Sequence, residues 1–415
     1  MLLKFIYCLT SLFIFVNIIT RQNPISPISL FGLGTIIYGL PLFWGYTTFA
    51  TGYANQGAKV STYFSHLDWR VYFIFLFLHL LFFTIAFFFN DPPPKKLVTN
   101  SSLILLAINI DLLICSILFV KNLGWNNLWL SKLERIPHIS SWYSFATIFA
   151  TLSILYWCLY KQKTIFSLVP ATLFLGLDIF MGYRTTVVLG LISAGLILFW
   201  RDDISFGLFN KIKLFLGSLS VIIVVFIYKP VYYSLEQGIF QINYIFSAIL
   251  ENSFIGSEPF VTMGILNETI KQSLNVSDRY IWESFIQYIP FYETFTGNAR
   301  ISFNFYVQNT LFPNVEWGLA STTLGELYVI GGLLAVSLWW SFLFFFLRFY
   351  PRNNPYLLII YCYLAPYTLF YFYRNDWHYI IGIFRLLIFS CVGVFYTYLG
   401  LKWIQQMFSS ILKKT

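Results

Sequence analysis

Val71-Tyr72-Phe73-Ile74-Phe75-Leu76-Phe77-Leu78-His79-Leu80-Leu81-Phe82-Phe83-Thr84-Ile85-Ala86-Phe87-Phe88-Phe89 is an apolar run with a single ionisable side chain, and Asp91-Pro92-Pro93-Pro94-Lys95-Lys96 follows it. A run of this length spans hydrocarbon as a helix, because without water the backbone must pair its own N–H and C=O groups. Three consecutive prolines cannot continue the helix, and the two lysines beside them mark the cytoplasmic side. Similar runs recur along the 415 residues, of which 58% are hydrophobic and 10% charged, at a mean hydropathy of +0.71. The expected class is an all-α polytopic membrane protein with about 11 transmembrane helices (ten to twelve).

Upstream of this run, Leu2–Ile19 reads as a retained first helix rather than a signal peptide, since no small-residue cleavage site follows it. Ile28–Tyr46 is the second helix, kinked at Pro41, and Thr47 to Arg70 is a polar stretch. Downstream come Leu103–Val120 and an outer segment, Lys121 to Ser140, with Trp125 and Trp129 as interface anchors. Trp142–Tyr160 and Ile165–Phe180 follow, then the tight turn Gly182-Tyr183-Arg184, Thr185–Trp200 and Leu214–Tyr228. The last three helices are Thr323–Leu347, Tyr356–Tyr373 kinked at Pro366, and Tyr379–Leu401. Residues 1–415 form one integral domain, and 231–320 form a large outer loop within it. About half of the 17 acidic residues fall between Tyr232 and Glu326. A loop of that length and polarity is where recognition or chemistry sits.

The net charge of +9 does not indicate nucleic acid, because the basic residues sit at short connectors on one side, in the positive-inside pattern. The five cysteines are single and lie in apolar runs, which makes them small apolar helix residues. There is no P-loop pattern and no Asp-x-Asp pair, and no inner connector has room for a nucleotide-binding domain. No cofactor or metal is expected.

An ionisable side chain at the bilayer centre costs about 2.5–3.5 kcal/mol on insertion scales, so each must be paired, hydrated or functional. Asp178, Arg184, Glu326, Arg374, Asp376 and His378 fall at the outer ends of helices or the outer turn, and Arg385 about two turns into the last helix on the face of His378, so all gather beneath the large loop. Singly each has a plain reading. Arg184 and Arg374 can snorkel to headgroups, and Glu326 can complement a helix macrodipole. Asp111 can pair with a neighbouring helix, and His79 can be a satisfied core residue. Together, arginines and carboxylates under an outer loop describe a site for an anionic head group and a proton acceptor. Glycosyl transfer from a lipid pyrophosphate needs both. Arginines hold the leaving charge without a metal, and a carboxylate or histidine accepts the proton of the attacking hydroxyl.

Several short motifs resemble the O-antigen polymerase (Wzy-type) family of oligosaccharide repeat unit polymerases. They are Asn23-Pro24-Ile25-Ser26-Pro27, Gly182-Tyr183-Arg184-Thr185 opening a helix, and Ser257-Glu258-Pro259-Phe260 with Tyr280 and Ile289-Pro290 downstream. Gly318-Leu319-Ala320-Ser321 then leads through Gly325-Glu326-Leu327-Tyr328 to Gly331-Gly332, and Arg374-Asn375-Asp376 stands late in the chain. Two positions depart from the family's pattern, Tyr183 where a small residue is common and Asn375 where glycine is usual. The resemblance implies a GT-C-like, metal-independent transferase in the bacterial cytoplasmic membrane. It would join undecaprenyl-pyrophosphate-linked glycans at the outer face, with membrane lipids around it and a chain-length regulator and a flippase as candidate partners. On this reading Arg184, Arg300 and Arg374 hold pyrophosphate, with Arg385 in reserve. Glu258 is the first choice of base and Glu326 the second, while Asp376 and His378 orient an arginine or substitute as base. An O-antigen ligase, or a flippase or transporter of lipid-linked sugar, remains an alternative.

Overall fold

The computed structural model describes residues 2–21, 26–50, 62–88, 99, 101–130, 132–160, 164–183, 185–201, 258–286, 292–297, 302–315, 321–348 and 353–412. Arg184, Arg300 and the expected span Leu214–Tyr228 lie outside the described residues, as does most of the start of the large loop.

The chain is a helical bundle. In order come α1 (Leu2–Thr20), α2 (Pro27–Tyr38), α3 (Leu40–Trp44), strands β1 (Tyr46–Ala50) and β2 (Thr62–His66), α4 (Trp69–Phe88) and α5 (Ser102–Leu123). The short α6 (Lys132–Arg135), then α7 (Ser141–Leu159), α8 (Val169–Phe180) and α9 (Thr185–Arg201) follow. The described part of the large loop contains α10 (Glu258–Lys271), α11 (Asp278–Ile286), α12 (Tyr292–Thr296) and α13 (Phe303–Leu311). The chain ends with α14 (Thr323–Arg348), α15 (Pro355–Ala365), a π-helical turn at Pro366–Phe370, a 3-10 turn at Tyr371–Tyr373, and α16 (Trp377–Leu412). Among the described residues, six helices are long and apolar enough to cross a membrane: α1, α4, α5, α7, α14 and α16. Four shorter apolar helical segments lie between them, Pro27–Tyr38, Ile165–Phe180, Thr185–Leu198 and Pro355–Phe370.

Lipid supplies no hydrophobic drive for helices to associate, so close packing and polar contacts carry more of the specificity. The buried polar residues of the spans serve that end. Asn109 of α5 accepts from Ser153 of α7 at 2.7 Å and donates to the Ser167 carbonyl at 2.8 Å. Asp111 accepts from Thr397 of α16 at 2.7 Å, which is the neighbour-helix pairing its position suggested. His79 Nδ1 is 2.7 Å from Thr10 Oγ1, and its ring stacks on Tyr7. Both are bundle contacts.

Two expectations from sequence need correction. The second helix stops at Tyr38 rather than bending at Pro41. Gly39 breaks it, and Pro41 sits in the first turn of α3, where its missing N–H costs nothing. The polar stretch after it is an antiparallel hairpin, pairing Thr47 with Ser65 and Phe49 with Tyr63. Its alternation turns Thr47, Phe49 and Ser65 inward, while Phe64 stays exposed.

The hairpin and the loop helices share a small core of their own, formed by Phe49, Ile265, Val276, Tyr280, Phe303, Val307, Phe312 and Val315. Burying a Phe or Val there contributes about 1.5–3 kcal/mol each, enough to hold a cap of short helices on the bundle. The cap is fastened at the C-terminal end of α10. Glu268 is buried and accepts from Tyr63, from Ser65 at 3.2 Å and from Gln272 at 2.9 Å, with Lys271 at 3.9 Å. Asn267, next to it, accepts from the Asp68 N–H at 2.8 Å and donates to the His66 carbonyl at 3.2 Å. Burial by itself pushes the Glu268 carboxyl up, but the bonds from Tyr63, Gln272 and Ser65 and the Lys271 charge together hold it below its ordinary value. The Arg70 side chain, bonded to Asp68, likewise holds that carboxyl down.

Both depressed carboxyls contribute stability that is present above the ordinary carboxylate range and lost as pH falls through their lower folded values. Below about pH 4 the hairpin is therefore expected to loosen from α10. Amide exchange in Tyr63–Ser65 checks this, and Glu268→Gln should remove most of the acid dependence; protection that is flat down to pH 3 would refute the fastening.

The close approach of α2 to the π turn needs Gly34. A Cβ there would lie 2.9 Å from Tyr373 Cε2 and 3.1 Å from the Leu369 carbonyl oxygen. Gly34→Ala is expected to cost about 1–3 kcal/mol by overpacking, read as a lower Tm in detergent. An unchanged Tm would mean that α2 shifts freely.

Candidate active site

The described residues place most of the expected site at the end of the bundle that carries the hairpin. Three pieces of chain meet there: the end of α2, the start of α10, and the turn between the 3-10 segment and α16.

Glu258 opens α10 and leans over the end of α2. Its Oε1 accepts from Tyr38 Oη at 3.0 Å and pairs in charge with Arg374, whose Nε lies 2.9 Å away. The Glu258 and Arg374 side chains are 28% and 30% exposed. An ion pair this open contributes no more than about 1 kcal/mol to stability, so its interest is chemical rather than structural. Both contacts fall on one oxygen. The other, Oε2, takes no hydrogen bond among the described residues. The arrangement is a half-exposed carboxylate with one oxygen pinned and one open, beside a guanidinium.

Glu326 and Asp376 are built differently. Glu326 lies in the first turn of α14, 2% exposed, with Oε1 accepting from Tyr280 Oη at 3.0 Å and Oε2 from the Trp377 N–H at 2.7 Å. Asp376 immediately precedes α16 and accepts from the Tyr379 N–H at 3.0 Å, as an N-cap residue does. Its Oδ2 accepts from Ser302 Oγ at 2.7 Å and from the Asn304 N–H at 3.3 Å. Thr323 adds a bond to the Asn375 carbonyl at 2.5 Å, and Asn304 Oδ1 accepts from the Ser321 N–H at 2.5 Å. These carboxylates sit at helix N-termini, where the macrodipole favours negative charge, and every oxygen is occupied. They tie α11 and α13 of the cap to the starts of α14 and α16. Five residues past Glu326, Gly331 and Gly332 interrupt α14, with Gly332 at φ 59° and ψ −148°, a conformation open essentially to glycine.

His378 is the second residue of α16 and half-buried. Arg385 lies further along α16, roughly 13 Å of helix rise beyond Asp376. Asp178 belongs to a neighbouring cluster. It is fully buried, its Oδ1 accepts from Tyr143 Oη, and its backbone carbonyl accepts from the Tyr183 N–H at 3.0 Å. Gly182, at φ 82°, makes the turn just before Arg184. Arg135 secures the same turn: buried, it donates to the carbonyls of Met181 at 2.8 Å, Leu128 at 2.9 Å, Asn127 at 3.3 Å and Leu130. Tyr143 also packs against Tyr183 of the same turn, with ring centroids 5.4 Å apart.

The structure thus brings Glu258 to Arg374 and Glu326 to Asp376. Tyr38, Ser302 and Arg135 are not legible in the sequence as site residues. A tyrosine at the end of an apolar helix reads as an interface anchor, and Arg135 reads as one more charge in a mixed outer segment. No group of His, Cys, Asp and Glu suited to a metal ion occurs among the described residues. No family model, curated protein or solved structure matches this chain.

Proposed function

We propose that this chain is a polymerase of lipid-linked oligosaccharide repeat units, acting at the outer face of the bacterial cytoplasmic membrane through a GT-C-like bundle of about eleven spans. The observation that carries the reading is the Glu258–Arg374 pair, open on one side, at the end of an apolar bundle and beneath a cap of loop helices. In this reading a sugar hydroxyl of the acceptor repeat unit attacks the anomeric carbon of the donor glycan. Its proton passes to Glu258 Oε2 as the new C–O bond forms. The bond to the pyrophosphate breaks, its electron pair leaves on the lipid-borne phosphate, and arginine charge stabilises that oxyanion. Arg374 takes this part, with Arg184 and Arg300 as further candidates. The donor arrives activated on its lipid, so neither a nucleotide nor a metal is called for.

Among the carboxylates, Glu258 suits the base role because a base must reach the incoming proton. Glu326 and Asp376 already accept the donors of the cap and helix starts.

A strain lacking this chain tests the proposal, with its lipid-linked glycans resolved on a gel. Single repeat units accumulating outside the membrane, restored to a ladder by the wild-type gene, support a polymerase. Intact polymer stranded on its carrier would instead indicate a ligase, and repeat units retained on the cytoplasmic side a flippase.

A further inference from the structure

We infer that Tyr38 is a positioning residue for Glu258, setting which carboxylate oxygen faces the acceptor; the inference rests on the polymerase reading above. Tyr38 donates a hydrogen bond to Oε1 and Arg374 forms an ion pair with it, from opposite parts of the chain. A carboxylate held at one oxygen by a directional hydrogen bond and an ion pair has its rotation fixed and presents the other oxygen in one direction. Arg374 alone leaves the carboxylate free to swing, because an ion pair at a half-exposed side chain sets distance but little direction.

The phenol is well supported for this role. Tyr38 is 5% exposed, and its ring stacks on Tyr373 with centroids 5.5 Å apart and planes at 19°. Phe370 meets it edge-on at 5.7 Å. Tyr373 directly precedes Arg374, so one stacked pair fixes both groups relative to each other. The π turn at Pro366–Phe370 and the side-chain-free Gly34 bring α2 close enough for that stack. Single π turns inside helices occur often at functional sites, where they re-aim the residues that follow. The site therefore reads as a support: ring on ring fixes the phenol, and the phenol and the guanidinium fix the carboxylate.

The test uses purified full-length protein in lipid nanodiscs, extending polyprenyl-pyrophosphate-linked repeat units. Tyr38→Phe keeps the ring stack and removes only the donor. It is expected to lower kcat about tenfold, with the acceptor KM within about twofold, as loss of orientation rather than of binding. Glu258→Asp, one methylene shorter, withdraws the carboxylate from Tyr38 while keeping a base. Adding Tyr38→Phe to Glu258→Asp is expected to change kcat no further. If Tyr38→Phe polymerises like the wild type, or lowers kcat equally in both backgrounds, the positioning role is wrong while the polymerase reading stands. If the wild type forms no ladder, the polymerase reading fails and takes this role with it.

Discussion

Glutamine in place of Glu258 is expected to stop chain extension while leaving the protein folded. A positioned general base contributes about 10²–10⁴ in rate, and an amide cannot take up the hydroxyl proton. The amide oxygen can still accept from Tyr38, so that contact with the end of α2 survives in Glu258→Gln although the charge opposite Arg374 is lost. The half-exposed position means that little else depends on the charge. In cells the expected result is single repeat units on their lipid carrier, no ladder, and wild-type amounts of protein in the membrane. Glu326→Gln is the control with the opposite profile. Its oxygens hold the Tyr280 hydroxyl and the Trp377 N–H, so its loss should fall on folding first. If Glu326→Gln removes the ladder at an unchanged protein level while Glu258→Gln keeps it, the base is Glu326.

Alanine in place of Asp376 is expected to have the largest effect on stability. Three donors converge on this carboxylate: the Tyr379 N–H, the Ser302 hydroxyl and the Asn304 N–H. Losing an N-cap costs about 1 kcal/mol, and hydrogen bonds to a charged group are each worth about 1.5–3 kcal/mol, though not additively. A total of about 3 kcal/mol is expected, with α13 and the start of α16 loosening together. Thermal unfolding in detergent reads this as a drop of several degrees, and limited proteolysis should cut first in the cap. Asp376→Asn keeps one acceptor and should recover part of the loss. An alanine variant with the wild-type Tm would show that the turn at Arg374–Asp376 is held by other contacts.

The spans were legible because hydrocarbon leaves so few options. Val71–Phe89 in the sequence is Trp69–Phe88 in the structure, Trp142–Tyr160 is Ser141–Leu159, and Thr323–Leu347 is Thr323–Arg348. The apolar composition of the last helix stops at Leu401, but the helix runs to Leu412. Hydropathy falls at Lys402, and that fall marks where apolar composition stops, which is a different boundary from the end of hydrogen bonding. The hairpin was missed because its strands, Tyr46–Ala50 and Thr62–His66, are short and their alternation is diluted by surface aromatics. The polar cluster was legible as a set of charges interrupting apolar runs. Its partners were not, since Tyr38 and Glu258 are 220 residues apart and Ser302 and Asp376 are 74 apart. Pairings at such separations are set by how helices pack, and one sequence carries no local sign of them.

The π turn at Pro366–Phe370 also makes the chain's length at that point part of its chemistry. A π turn holds one residue more than the α-helical path it replaces. Deleting a single residue from it would let the segment relax to regular helix and turn everything beyond by about 100°. Tyr373 would leave the face of Tyr38, and Arg374 would swing away from Glu258. No side chain of the site would have changed. In a lineage of such chains, an insertion or deletion between Pro366 and Tyr373 would therefore weigh more than most substitutions. Length here would be inherited as strictly as residue identity.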